Sequence, residues 1–458
     1  MSGIALRPRL NTTRAESIGG RGGPNLDVAT LTSTAEVSLT DWAQALVHST
    51  IDVRYPDPAQ LGPAPTSAWW RYQQGLYLLG QYRVYQRTGT ARYLDYIKGW
   101  LDARTDPITG NLLPARTADP KLDFLDTVMP GRIVLPLDGA FGGPAGEARY
   151  RLTADRLWDA LGTHKRTPDG IFWHTNASRK TVLLDGAYMA LPFATLYGQQ
   201  FGRTLPGKPD LYHDVANQLI RHRYHLQDAP GTEIDPPTGT RLFYHAYDLE
   251  GNGTTHGVDW SEGTAKHSSV IWCRAMGWYA MAIVDVLDLM PSDAAHRADR
   301  DALIAIFRSL IQGLAAKQSS DGRWLTVVHY PSRAVAGNFL DSSCSAMLVY
   351  AISKAVGARY LDGSYRKMAS RAYKGVLGVL SLQPETVGDG IQYLTSLSGI
   401  AAGQQVEAIP ELYATSAYDA AGAIVPRINP LTNDMHGLGA FLLMYEQVKR
   451  DPTTIAPF

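Results

Sequence analysis

The amino-acid sequence predicts an all-α fold, an (α/α)6 barrel in which six helical hairpins close into a toroid, and three observations lead there. Helical segments of two kinds alternate along the chain, one amphipathic and one apolar nearly all round. A glycine turn recurs on the way from one kind to the other. The recurrence, roughly 60 to 80 residues per pair and about six times over, is the mark of a closed repeat architecture. An open helical solenoid is the competing arrangement, but a ring explains better why one helix of each pair lacks a polar face.

The enclosed kind comprises Gly75 to Tyr85, Asp185 to Tyr197, Arg274 to Leu287, Ser343 to Lys354 and His436 to Tyr445, all rich in small residues. The amphipathic kind is typified by 302–310, where Leu303, Ile306, Phe307 and Leu310 fall at i, i+3, i+4 and i+7 and leave a charged face to water. The connecting turns are Asp106-Pro-Ile-Thr-Gly110-Asn-Leu, Pro168-Asp-Gly-Ile-Phe-Trp173-His and Ser320-Asp-Gly-Arg-Trp324, each with a glycine before an apolar or aromatic pair. A long Gly- and Pro-rich loop, 228–267, joins the seventh helix to the eighth and is expected to lie over one rim as a lid. It carries His256, Asp259, Glu262 and His267, but their spacing is not that of a zinc site, so neither metal nor other cofactor is expected. The whole reads as one catalytic domain, 36–450, between a flexible N-terminal segment, 1–35, and a tail, 451–458.

The 458 residues are 45% hydrophobic and 19% charged, which suits a soluble protein with a large core. Lys plus Arg and Asp plus Glu both number 43, so no bulk field favours nucleic acid or a membrane surface. No window approaches roughly 18 uncharged apolar residues, so no membrane span is expected. The N-terminus carries Arg7, Arg9, Arg14 and Arg21 without the apolar core of a secretory signal, and a cytoplasmic monomer or homodimer is expected. Cys273 and Cys344, the two cysteines, fall in helical segments and are expected to be buried free thiols. Trp (10) and Tyr (24) are plentiful, and such side chains either stack on sugar faces or fill the space between helices.

In an alternating toroid the enclosed helices all point one way, so their N-termini gather at one rim. There the sequence sets Trp69, Trp70 and Tyr72; Asp123 and Asp126; Asp185; Trp272, Arg274 and Trp278; Asn338 and Asp341; and Asn433, Asp434 and His436. Asp123, Asp341 and Asp434 are equally well explained as N-caps. Asp185 fits that explanation less well, because two leucines precede it and Gly186 and Tyr188 follow. Arg274, between Trp272 and Trp278, must pair with an anion or stack on a ring, and a substrate carboxylate or a structural aspartate serves equally. Aromatics, a cation and two or more carboxylates suit an enzyme acting on an acidic sugar, and equally an ordinary glycoside hydrolase.

In order along the chain, Trp70-Arg-Tyr-Gln-Gln-Gly75, Arg92-Tyr-Leu-Asp-Tyr-Ile-Lys98, Asp126-Thr-Val-Met-Pro-Gly131, Gly170-Ile-Phe-Trp-His174, Leu184-Asp-Gly-Ala-Tyr-Met-Ala-Leu-Pro-Phe193, Tyr244-His245 with Asp248, Trp272-Cys-Arg-Ala-Met-Gly-Trp-Tyr-Ala-Met-Ala282 and Asn433-Asp-Met-His-Gly-Leu-Gly-Ala-Phe441 form one set. The set resembles the unsaturated uronyl hydrolases of glycoside hydrolase family 105, with the related family 88. The resemblance implies the six-hairpin barrel and removal of a 4,5-unsaturated uronic acid from the non-reducing end of lyase-made oligosaccharides, without metal or cofactor. Unsaturated rhamnogalacturonan is the expected substrate. Glycosaminoglycan, ulvan or arabinogalactan-type fragments, saturated glucuronides, and sugar binding without catalysis are the alternatives. The resemblance further implies that Asp185 is the proton donor, that Asp126 is its partner, and that His245, Arg274, Trp278 and Tyr72 line the sugar site. Trp70, Tyr188, Met189, Trp272, Asp341 and His436 complete the expected substrate-binding set. The chain departs from the family at Asp341-Ser-Ser, where many relatives carry Glu-Thr-Ser, and at His329, where an acidic residue is common.

The family reaction protonates the enol-ether carbon C4 while water adds at C5. That calls for a carboxylic acid still protonated near neutral pH, well above the usual value of about 4. A helix N-terminus opposes this by about 0.3 to 1 kcal/mol, whereas burial and a second carboxylate raise a pKa by several units. Asp185, beside Asp126, is therefore expected to be the protonated member.

Overall fold

Helices with no polar face form the interior. The computed structural model describes residues 41–62, 70–113, 122–143, 146–176, 180–234, 237–250, 254–255, 258–259, 266–268, 270–329, 338–388, 390–401, 416–418, 424–426 and 431–456. Among them are twelve α-helices: α1 (Trp42–His48), α2 (Tyr72–Thr88), α3 (Ala91–Asp102), α4 (Gly131–Phe141), α5 (Ala148–Thr163), α6 (Gly186–Phe201), α7 (Leu211–Leu226), α8 (Cys273–Leu289), α9 (Arg297–Ala315), α10 (Ser342–Gly357), α11 (Arg366–Leu377) and α12 (Met435–Arg450). Helices α2, α4, α6, α8, α10 and α12 each pack on the next, and α12 packs back on α2. Every residue from Cys273 to Leu287 and from Met435 to Val448 is buried, as enclosure on all sides requires. Helices α3, α5, α7, α9 and α11 lie outside, each against the inner helix before it, while α1 lies against α12. In α9 the buried side chains include Leu303, Ile306, Phe307 and Leu310, the stripe that the sequence spacing marks.

Glycine closes the ring. A Cβ on Gly439 would come within 2.7 Å of the Leu76 backbone, and one on Gly80 within 2.7 Å of Leu442 Cβ, so α2 and α12 meet almost backbone to backbone. Helix α4 is the inner helix whose sequence lacks the all-apolar signature. It contains Pro136, and its Arg132 lies 2.8 Å from Asp285 inside the ring, where Lys354 (2.6 Å) and Tyr350 (2.7 Å) also bond to Asp285. Its polar residues face a buried partner, as an interior charge must, and so resemble a wet face only in one dimension.

Two expectations need correction. The chain is mostly helical but not all-α: five two-stranded antiparallel sheets occur among the described residues. The largest is the hairpin of strands Leu380–Val387 and Gly390–Leu397. Pro384 argues against a strand in sequence, yet Arg54 clamps the hairpin through Glu385 (3.0 Å) and the Thr395 carbonyl (2.9 Å). Second, Cys273 and Cys344 are not free thiols but a disulfide, with Cα atoms 5.7 Å apart. Both begin neighbouring inner helices at the same rim, a proximity hidden by 71 residues of sequence. The start of the loop between α7 and α8 is tied down by the buried Asp228 carboxylate, which accepts backbone N–H bonds from Thr238 (2.6 Å), Gly239 (3.1 Å) and Thr240 (3.0 Å). His267 stacks on Tyr244, with centroids 4.0 Å apart. His256, Glu262 and the side chain of Asp259 lie outside the described residues, as does Trp69. Among the described residues no three His, Cys, Asp or Glu side chains form a metal-holding group, and no helix is long and apolar enough to cross a membrane.

Candidate active site

Strand pairing delivers the first two groups. Strand β1 (Thr181–Leu183) runs antiparallel to β2 (Ala246–Asp248) with Leu183 opposite Ala246, and the pairing extends by one bond from Leu184 N to His245 O at 2.9 Å. Asp185 follows at once, and His245 Nε2 lies 3.0 Å from its Oδ2. Asp185 has helical backbone angles (φ −58°, ψ −36°) and its side chain caps no helix. Asp341 and Asp434 do act as caps, accepting from Ser343 N (2.9 Å) and His436 N (3.0 Å).

Asp126 sits on the 3-10 turn Leu125–Thr127, which two bonds pin in place: Leu125 N donates to His174 O (3.0 Å), and Trp70 Nε1 donates to Thr127 O (2.8 Å). His174 Nε2 lies 3.6 Å from Asp126 Oδ1. Burial lowers the His174 pKa to about 4, so this ring is neutral at ordinary pH.

The protonation pattern reverses the expected one. Burial, reinforced by the Asp185 charge and only partly opposed by Arg71, pushes Asp126 up to about 8. Burial would raise Asp185 too, but the charge and hydrogen bond of His245, with help from His174 and Arg274, outweigh it and hold Asp185 below the usual carboxylate range. The two carboxyls are thus pushed in opposite directions, Asp126 up and Asp185 down. Sequence reasoning weighed burial and the second carboxylate but not His245 as a counter-charge to Asp185.

Around the pair runs an aromatic wall. Tyr72 OH is 2.8 Å from His436 Nε2, and the Tyr72 ring meets Trp278 edge-on at 6.2 Å. His436 Nδ1 pairs in turn with Asp434. His245 packs on Trp272 at 4.9 Å, and the fully buried Arg274 guanidinium lies over Trp272 at 4.7 Å. Arg274 Nη1 also donates to the Ala401 carbonyl, and the Ala401 N–H approaches Asp341 Oδ1 at 3.4 Å. Arg274 thus has a stacking partner and a backbone acceptor, and it favours the ionised forms of Asp185 and Asp434.

The structure accordingly brings Asp126, Asp185, His245, Trp272, Arg274, Tyr72, Trp278, His436 and Asp341 to one rim. The other three expected residues, Trp70, Tyr188 and Met189, are buried to the same degree as Trp272, Arg274, Trp278, Asp341 and His436. Trp70 is buried against Trp100 (5.2 Å) and holds the Asp126 turn through Thr127 O. Tyr188 is fully buried between Trp278 (4.9 Å) and the Arg132 guanidinium (5.1 Å). Met189 is 1% exposed within the core. His174, Arg71 and Asp434 join the site without having been in the expected set. His174 closes the turn Gly170-Ile-Phe-Trp-His174, so a conspicuous turn before a buried helix was the available signal.

Two interacting carboxyls with a histidine beside each, a buried cation and stacked aromatics can move a proton at a sugar ring. The family model "Glycosyl Hydrolase Family 88" matches residues 42–450. Protein Atu3128 of Agrobacterium fabrum is 29% identical over 265 residues, 57% of this chain and 97% of that protein. The unsaturated rhamnogalacturonyl hydrolase YesR of Bacillus subtilis is 24% identical over 286 residues, 62% of this chain and 70% of that one. Among solved structures, a family 105 glycoside hydrolase of C. acetobutylicum matches with a TM-score of 0.70 and 27% identity, covering 89% of this chain and 99% of that one. The chain belongs to glycosyl hydrolase family 88 and is a glycoside hydrolase.

Proposed function

We propose that this enzyme removes a 4,5-unsaturated uronic acid from the non-reducing end of lyase-generated oligosaccharides, with unsaturated rhamnogalacturonan as its substrate and a six-hairpin (α/α)6 barrel as its scaffold. The observation that carries this reading is the constellation of two interacting carboxyls, Asp126 and Asp185, with His245 Nε2 3.0 Å from Asp185 Oδ2 and His174 Nε2 3.6 Å from Asp126 Oδ1. An enol ether accepts a proton at C4 and water at C5, and a carboxyl pair in which one member is pushed up and the other held down can give the first proton and take one back from the water. The hemiketal formed at C5 then opens and the aglycone leaves. Asp185 and Asp126 are the catalytic groups. Arg274 receives the uronate carboxylate, His245 keeps Asp185 ionised, and Tyr72, Trp272, Trp278, Asp341 and His436 shape the sugar site. Trp70, Tyr188 and Met189 complete the substrate-binding set, Trp70 also holding the Asp126 turn through Thr127 O. The name of YesR supports rhamnogalacturonan, and the Cys273–Cys344 bond supports an oxidising compartment rather than the expected cytoplasm.

Incubation with lyase-digested rhamnogalacturonan should bleach the ultraviolet absorbance of the conjugated enol ether, and Asp185→Asn and Asp126→Asn should each abolish the loss. Bleaching by Asp185→Asn at the wild-type rate would overturn the assignment. Preferential bleaching of glycosaminoglycan or ulvan digests would move the substrate, and turnover of saturated glucuronides alone would replace the reaction.

A further inference from the structure

We propose that the Cys273–Cys344 disulfide is a positioning crosslink that sets Arg274 for the acidic sugar. Both cysteines are fully buried, at the first turns of α8 and α10, and their sulfurs join two backbones that each carry part of one constellation. On α8, Cys273 lies between Trp272 and Arg274. On α10, Cys344 follows Ser343, whose Oγ donates to Asp341 Oδ1 at 2.6 Å and lies 3.4 Å from Arg274 Nη1. The Ala401 backbone completes the circuit, accepting from Arg274 and donating toward Asp341. A shift of α8 against α10 would move the guanidinium relative to every one of these groups.

The bond joins Cα atoms 5.7 Å apart at the rim, the ordinary spacing of facing residues on helices whose axes stand about 8–10 Å apart and whose Cα atoms lie about 2.3 Å off the axis. One turn deeper the close approach is sustained without it: a Cβ on Gly277 would lie 3.0 Å from Met347 Cβ, so the bare glycine keeps α8 against α10. The disulfide is therefore dispensable for bringing the two helices together and acts on the final turn, where Arg274 sits. A guanidinium stacked on an indole reads a planar carboxylate only when its plane is fixed, and a tilt of that turn weakens substrate capture more than proton transfer at Asp126 and Asp185.

This inference rests on the uronyl-hydrolase reading. The bond itself is tested without activity: wild-type protein denatured without reductant should show no titratable thiol, and two thiols would overturn the crosslink. Cys273→Ala/Cys344→Ala should fold, with a circular-dichroism spectrum like that of the wild type, and raise KM for the unsaturated oligosaccharide about tenfold while kcat changes less than about twofold. In an Arg274→Lys background the same double substitution should add little further loss, because the two act through one group. A lowered Tm with unchanged KM, or full additivity with Arg274→Lys, would reduce the bond to a structural staple and overturn the proposal. If the alanine pair does not fold, Cys273→Val/Cys344→Ala, which refills the sulfur volume, carries the same kinetic test. Wild-type enzyme that bleaches no lyase product overturns the uronyl-hydrolase reading and the positioning role with it, while the thiol count still decides the bond.

Discussion

His245 Nε2 stands 3.0 Å from Asp185 Oδ2, and that contact holds the Asp185 carboxyl below its usual range beside Asp126, whose carboxyl is pushed up. His245→Gln keeps a polar side chain but removes the cationic form. Asp185 then keeps only the lesser help of His174 and Arg274 against burial, which pushes its pKa up. The acidic limb of the kcat/KM profile should move to higher pH by about one unit or more, and the neutral-pH rate should fall roughly a hundredfold. An acidic limb that stays in place would show that His245 does not control the charge on Asp185.

Asp126 yields a pH prediction for both activity and stability. Its carboxyl is raised to about 8 in the fold, against about 3.9 in an unfolded chain. Between those values the folded state binds more protons than the unfolded one, so the contribution to stability is full below the unfolded pKa and is lost as pH rises through the folded pKa. Wild-type activity should likewise decline as pH rises through about 8, where the acid is consumed. Asp126→Asn cannot ionise, so relative to the wild type it should gain on the order of 1–3 kcal/mol between about pH 5 and pH 9 while losing turnover. Thermal unfolding at both pH values checks the sign. Equal pH dependence in variant and wild type would mean that Asp126 titrates normally.

Much of this architecture was legible because enclosure leaves a one-dimensional trace: a helix wrapped by others has no side to give to water, and α6, α8, α10 and α12 read so. Helix α4 did not, since Arg132 and Pro136 look wet in sequence and only the fold shows Arg132 pointing at Asp285. Asp185 stood out as a carboxylate that capped nothing, and the structure agrees. Its charge state was not legible, because it depends on His245, brought to it by the β1–β2 pairing from sixty residues further along. The disulfide was hidden for the same reason. Two cysteines at the heads of separate helices become neighbours only when both helices stand in one ring.

Trp70 tests whether support of the Asp126 turn matters. Trp70→Phe keeps an aromatic ring against Trp100 but loses the Nε1–H bond to Thr127 O (2.8 Å) that fixes the Asp126 turn. The expected cost in stability is about 1 kcal/mol, the usual net worth of such a bond. Because Asp126 moves while the sugar-facing wall does not, kcat should fall about tenfold with KM nearly unchanged. Raised KM with normal kcat would mean that Trp70 acts through direct contact with substrate rather than through the turn.

Gly439 and Gly139 make a matched pair for the closure of the ring. A Cβ on Gly439 would meet Leu76 C, Leu76 Cγ and Tyr77 N, all at 2.7 Å, and two of those atoms are backbone that cannot swing aside. Gly439→Ala should therefore force α12 away from α2 and cost about 1–3 kcal/mol. It should also lower activity, because Tyr72 on α2 and His436 on α12 are bonded across that same contact at 2.8 Å. A Cβ on Gly139, in α4, would meet nothing within 4 Å. Gly139→Ala should raise stability by roughly 0.5–1 kcal/mol through helix propensity alone and leave turnover unchanged. Denaturant unfolding of the two variants beside the wild type gives the comparison. Equal stability of the pair would mean that the first and last inner helices do not meet as closely as described.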